Sequence, residues 1–169
     1  MEIANQTSSD NALFVKTFIT AWITQITRLN EFLEKTTDED LIKEIAPGKN
    51  SGIYLLGHLI AVNDGIIPLL GFGKKLYPAL EQIFITSPDK SGHDFPSPSE
   101  LRKYWNEVNE QLIKYFKQLE PEEWLTKHEA ISVEDFAKEP HRNKLNVLIH
   151  RTTHLGYHLG QLVFLKKKK

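Results

Sequence analysis

Apolar residues return at steps of three and four in four long stretches of this chain, and no other pattern in it is as regular. In "NALFVKTFITAWITQITRLNEFLEKTT" the stripe runs through Leu13, Phe14, Phe18, Trp22, Ile26, Leu29 and Leu33, one face of a long helix. "SGIYLLGHLIAVNDGIIPLLG" reads as a second helix, entered at Ser51 and ended or kinked near Pro68. The third opens at "SPSELRKYW", where Ser97 caps, Pro98 suits the first helical position and Glu100 completes a capping box. Its stripe passes through Leu101, Tyr104, Val108, Leu112, Tyr115 or Phe116, and Leu119. The fourth, "NKLNVLIHRTTHLGYHLGQLVFLKKKK", carries the clearest helical period of all.

Each such stripe must be buried against another, and 169 residues suffice for one domain with a real core. The expectation is therefore an all-α protein, a four-helix bundle formed as a single domain over residues 1–169. "TSPDKSGHDFPSP", between the second and third helices, is too rich in Pro, Ser and Gly for a regular element. So long a connection permits a parallel neighbour, which leaves the up-down order open. Thr37 is a plausible cap for a short turn in "TTDEDLIKEI", and "APGKN" breaks the chain after it. "EPEEWLTKHEAISVEDFAKEPHRN" suggests a short turn and an extended piece around Ile131 to Val133.

A formal net charge of -1 supplies no global attraction to nucleic acid or an anionic membrane. The chain has no cysteine, which removes disulfides, thiolate metal sites and a cysteine nucleophile together. "MEIANQTSSDNALF" has no basic segment followed by an apolar run, and no apolar run is expected to approach the roughly 18 residues of a span. A cytoplasmic protein is the expectation, and the Asn5-Gln6-Thr7 sequon then carries little meaning.

Three of the seven histidines fall in "HRTTHLGYHLGQL" at a spacing of four. Four residues advance a helical side chain by about 40° and 6 Å, so His154 and His158 share a face and can converge on one ion. A third ligand must come from another element. His58, in "YLLGHLIAVND", lies among Tyr54, Leu55, Ala61 and Val62 and so points into the bundle. His150 would lie about 12 Å along the axis from His158, which makes it a supporting or core residue rather than a ligand. The plainer alternatives stand beside this one. A lone inward histidine is usually a hydrogen-bonded core residue, and a helical HxxxH pair often lies on a surface. His93, His128 and His141 fall in polar, irregular segments and receive no role.

"GHLIAVND" on the second helix, the Ser-Pro-Ser-Glu-Leu opening of the third, and "HRTTHLGYHLGQL" on the last resemble the DinB/YfiT-like superfamily of metalloenzymes. The resemblance covers most of the chain. It implies a four-helix bundle in which His58, His154 and His158 surround a divalent metal ion, nickel or zinc in most cases. Imidazole ligands suit either ion. Three protein ligands leave a position for water or substrate, the pattern of a catalytic site. The resemblance further implies a homodimer, a small-molecule substrate and, in some members, a transferase or isomerase reaction using a low-molecular-weight thiol. A chain without cysteine is compatible with sulfur that arrives on a cosubstrate. The alternative is a non-catalytic metal-binding protein of the damage response.

Several nearby residues carry weaker expectations. Gly156 and Gly160 each cost roughly 1 kcal/mol relative to alanine within a helix, which suggests close packing against a neighbour or space beside the metal. Gln161 is placed either to orient a ligand or to join a helix interface. A metal-activated hydrolase needs a carboxylate near the ion, and Asp64 is a poor candidate because it lies about 120° around the helix from His58. "PGKNSG" and "GFGKK" lack the spacing of a phosphate-binding loop, and "KKKK" is expected to complement a helix end.

Overall fold

A computed structural model describes the backbone of residues 2–165 and the side chains of residues 9–165. The lysine run at 166–169 and the side chains of the sequon lie outside the described residues. Four long helices dominate, as the periodicity predicts: α1 (Glu2–Glu34), then the short α2 (Asp38–Leu41), α3 (Gly52–Asp64) and the short α4 (Ile66–Leu69). They are followed by a π-helical turn (Gln82–Thr86), α5 (Pro98–Phe116), a 3-10 turn (Pro121–Leu125), the short α6 (Val133–Lys138), α7 (Lys144–Leu162) and a last 3-10 turn (Val163–Leu165).

The starts follow their capping residues. Thr37, Ser51, Ser97 and Asn143 each accept a hydrogen bond from the backbone three residues on, and Ser97 with Glu100 forms the full capping box. α3 stops at Asp64, and Pro68 falls inside α4 after the break at Gly65. The extended piece expected around Ile131 to Val133 does not form. Ser132 caps instead, accepting from Asp135 N–H, and Val133 opens α6. Capping chemistry outweighs the strand preference of two β-branched residues.

The direction of each helix follows from its partners. Asn30 and Leu33 of α1 meet Trp105 and Arg102 of α5, while Trp22 meets Phe116, so these two run antiparallel. Asn63 of α3 bonds Asn109 of α5 and Tyr54 meets Phe95 just ahead of it, so α3 and α5 run parallel. The long connection thus does join parallel neighbours. α3 and α7 are antiparallel, since His58 meets His154 and Gly52 meets Leu165.

The core is built on Trp22, Leu29, Leu55, Leu56, Leu59, Ile60, Phe84, Trp105, Leu148 and Leu155, all fully buried or nearly so. Trp22 and Phe116 meet edge-on at 5.1 Å, and Phe116 rather than Tyr115 occupies the core position of its turn. Leu13 and Phe14 depart from expectation, being 65% and 61% exposed. Val15 takes the buried position there because it lies seven residues before Trp22 and shares its face, whereas Phe14 and Leu13 are turned about 80° and 180° from it.

One stretch, Gly52–Leu69, does reach the length and mean hydropathy (1.4) that a span requires, contrary to the sequence expectation. It is 78% buried within the bundle, which accounts for its apolar character as core.

Candidate metal centre

α3 is apolar nearly all round because it is enclosed on all sides, and His58 is the one residue in it that is not fully buried. Its ring leaves the helix toward α7. There His154 and His158, one turn apart, present their rings on the facing side. His58 Nε2 lies 3.2 Å from His154 Nε2, and His158 Nε2 lies 3.1 Å from the same atom. The three ligand atoms fall within 4.8 Å of one another.

The outer nitrogens decide what the inner ones offer. His58 Nδ1 donates to the carbonyl oxygen of Phe84 at 2.8 Å, and His158 Nδ1 donates to Gln161 Oε1 at 2.7 Å. Carbonyl and amide oxygens only accept, so both rings carry their proton on Nδ1 and turn an Nε2 lone pair inward. His154 can supply at most one proton to the cluster, and its Nδ1 is buried without a hydrogen-bond partner among the described residues. Lone pairs on at least one ring therefore face the centre unmatched. Imidazole ligands at about 2.0–2.1 Å from a tetrahedral ion stand about 3.3 Å apart, close to the two separations from His154 Nε2. The donor set and its spacing fit a divalent cation.

Electrostatics agree. Burial lowers the His154 pKa to about 4, aided by the neighbouring His158, His58 and Arg151. Burial also lowers His58, against the Phe84 hydrogen bond, and lowers His158, against the Gln161 hydrogen bond. All three are thus held neutral at pH 7, the form that ligates metal.

The Phe84 carbonyl is in reach because of the π-helical turn. Ser87 N–H closes that turn on the Gln82 carbonyl at 3.2 Å, and Tyr54 Oη donates to the Ser87 carbonyl at 2.8 Å. Asp89 then accepts from both Ser51 N–H and Ser51 Oγ at the start of α3, at 2.6 and 2.9 Å. The segment lies flat on α3 only because position 57 is glycine. A Cβ there would come within 2.4 Å of the Phe84 ring.

This arrangement of histidines on the second and fourth long helices accompanies a match across most of the chain. The family model of the DinB superfamily matches residues 21–162. The chain belongs to the DinB superfamily. Among curated proteins, none matches it by sequence.

Beside the triad, this DinB-superfamily bundle opens a cleft of about 500 Å³, bordered by His58 and His154, by Ala61, Val62 and Leu69, and by Lys75, Glu81 and Arg151. Sequence reasoning missed the last three. Arg151 lies one turn before His154, and that i, i+3 relation was legible in the sequence. Lys75 and Glu81, which pair with each other, lie in the irregular connection and gave no such signal.

Other expectations sort cleanly. Gln161 orients His158 and also donates to Tyr157 Oη at 3.2 Å, so it serves the ligand rather than a helix interface. His150 is neither core nor support. It is exposed, on the wall of a smaller cavity with His128 and Arg142. His93 bonds Ser87 Oγ at 2.9 Å, and His141 is exposed. Neither Gly156 nor Gly160 is a close-packing site: a Cβ at 156 would meet only Gln25 at 3.9 Å, and one at 160 would meet nothing within 4 Å. Asp64 is fully buried and accepts from the N–H groups of Leu76 and Tyr77, both at 2.8 Å, so it anchors the connection and does not reach the triad.

Proposed function

We propose that this protein is a divalent-metal enzyme acting on a small molecule, with His58, His154 and His158 as the ligands and nickel or zinc as the ion. The observation that carries the proposal is the convergence of three neutral Nε2 atoms, with two of the rings, His58 and His154, bordering an open cleft. A site sealed by side chains would have favoured a non-catalytic metal-binding protein. The cleft favours a reaction.

Transfer of a low-molecular-weight thiol to an electrophile is the reaction we infer. A bound divalent ion supplies Lewis acidity, which favours the thiolate form of such a cosubstrate. The protein's own contribution is orientation. Phe84 and Gln161 fix the rings of His58 and His158, and Leu69, Ala61 and Val62 give the cleft apolar walls. The cysteine-free chain brings no thiol of its own to compete. Hydrolysis by a metal-activated water fits less well. Asp64 is committed to backbone N–H groups, and Glu81 is committed to Lys75.

The test is conjugation of a panel of thiols to monochlorobimane by the reconstituted protein, with and without chelator. Chelator-sensitive turnover with one thiol of the panel is expected. Turnover that ignores the chelator, or none with any thiol, would overturn the thiol-transfer reading.

A further inference from the structure

Arg151 is partly buried on the wall of the cleft, one helical turn before His154. Its guanidinium takes part in no hydrogen bond or ion pair among the described residues. Arg102 and Arg142 contrast with it: Arg102 donates to the carbonyls of Leu33 and Thr36 at 2.7 Å each and pairs with Asp38 at 3.3 Å, and Arg142 pairs with Glu139 at 3.1 Å. Arg28 is exposed, where water meets its donors. The donors of Arg151 stay open to the cleft and uncommitted to any protein group among the described residues, so they are available to a ligand there.

The charges around it define that ligand. Lys75 and Glu81, the other charged groups bordering the cleft, neutralise each other. The three histidines are neutral donors, and no carboxylate belongs to the triad. With a divalent ion bound, the cleft therefore holds a strong positive field that no protein anion offsets. Arginine's planar fork matches the two oxygens of a carboxylate, and one guanidinium balances one negative charge. Phosphate oxygens fit the same fork, so a phosphate is the competing anion that the test must include.

We propose that Arg151 is the specificity-determining residue of the cleft and binds the carboxylate of a small acid whose other end lies at the histidine triad. This rests on the metal-enzyme reading above and names the substrate class for the same site. Arg151 acts by holding substrate and takes no part as a metal ligand.

The probes are 3-mercaptopropionate and its uncharged amide, each titrated calorimetrically into zinc-loaded protein, with 2-mercaptoethyl phosphate as a third arm. The acid is expected to bind about tenfold or more tightly than the amide, as a charge-assisted bidentate contact implies, and more tightly than the phosphate. In Arg151→Met the preference for the acid should vanish, with the zinc content unchanged. Arg151→Lys should restore part of it, since it keeps the charge and loses the fork. Equal binding of acid and amide by the native protein, a preference that survives Arg151→Met, or no binding of either probe at millimolar concentration would overturn the proposal. Failure of the metal reading registers separately, as an absence of zinc from the reconstituted native protein. In that case, the same acid-to-amide comparison on metal-free protein decides the role of Arg151.

Discussion

The carbonyl oxygen of Phe84 lies 2.8 Å from His58 Nδ1, and the ring of the same phenylalanine rests directly on Gly57, the residue before that histidine. One side chain thus both packs on α3 and brings its own backbone to orient the inner ligand. Gly57→Ala tests this coupling. Alanine alone favours a helix by about 1 kcal/mol over glycine, but the clash with a fully buried ring should outweigh that gain. We expect a net loss of about 1–3 kcal/mol in urea unfolding, together with weaker metal binding. A variant more stable than the native protein would show that the ring yields freely.

The three ligands should be separable from the other histidines by elemental analysis after reconstitution with nickel and with zinc. His58→Ala, His154→Ala and His158→Ala should each lose the ion, since two imidazoles hold it too weakly. His150→Ala and His93→Ala should retain close to one ion per chain. Full occupancy in His58→Ala would refute the third ligand and the core site with it.

Gln161→Leu removes the acceptor that fixes His158 while leaving the ring in place. Loss of such a supporting hydrogen bond typically weakens metal affinity by roughly 10–100-fold. Tyr157→Phe, at a position 63% exposed and bonded only to the amide end of Gln161, should change affinity little. Competition titration with a chromophoric chelator measures both. Equal affinities for the two variants would remove Gln161 from the site.

The metal-free protein should weaken in mild acid. His154 has a folded-state pKa of about 4 against 6.5 for a free side chain, and His58 and His158 are lowered in the same direction. Between these values the unfolded chain binds more protons than the folded one, so stability rises with pH across that window and is lost as pH falls through it. At pH 7 the rings are already neutral, so loading the ion should release almost no protons from them. Calorimetry in buffers of different ionisation enthalpy checks that, and a pH series of thermal melts checks the first point.

We further propose self-association through the early turns of α1, where Leu13 and Phe14 expose apolar surface. Light scattering should report a dimer, and Leu13→Asp with Phe14→Asp should return it to monomer. A monomer at high concentration of the native protein would end this proposal.

Much of the bundle was legible in the sequence because helices declare themselves locally. Ser51, Ser97 and Glu100 mark helix starts through bonds to their own backbone, and the three- and four-residue steps mark the buried faces. The pairing of His154 with His158 is equally local, fixed by one helical turn. His58 joined them in the sequence reading only through its apolar surroundings and a family resemblance. What lay beyond the sequence was set across the bundle. Phe84 reaches His58 from 26 residues away through a π-helical turn that no periodicity announces. His150, which the four-residue spacing puts on the ligands' stripe, is exposed on the wall of a separate cavity. Spacing along one helix determines which side chains share a face. Whether that face meets another helix, a carbonyl or water depends on where the other elements end, and tertiary packing alone decides it.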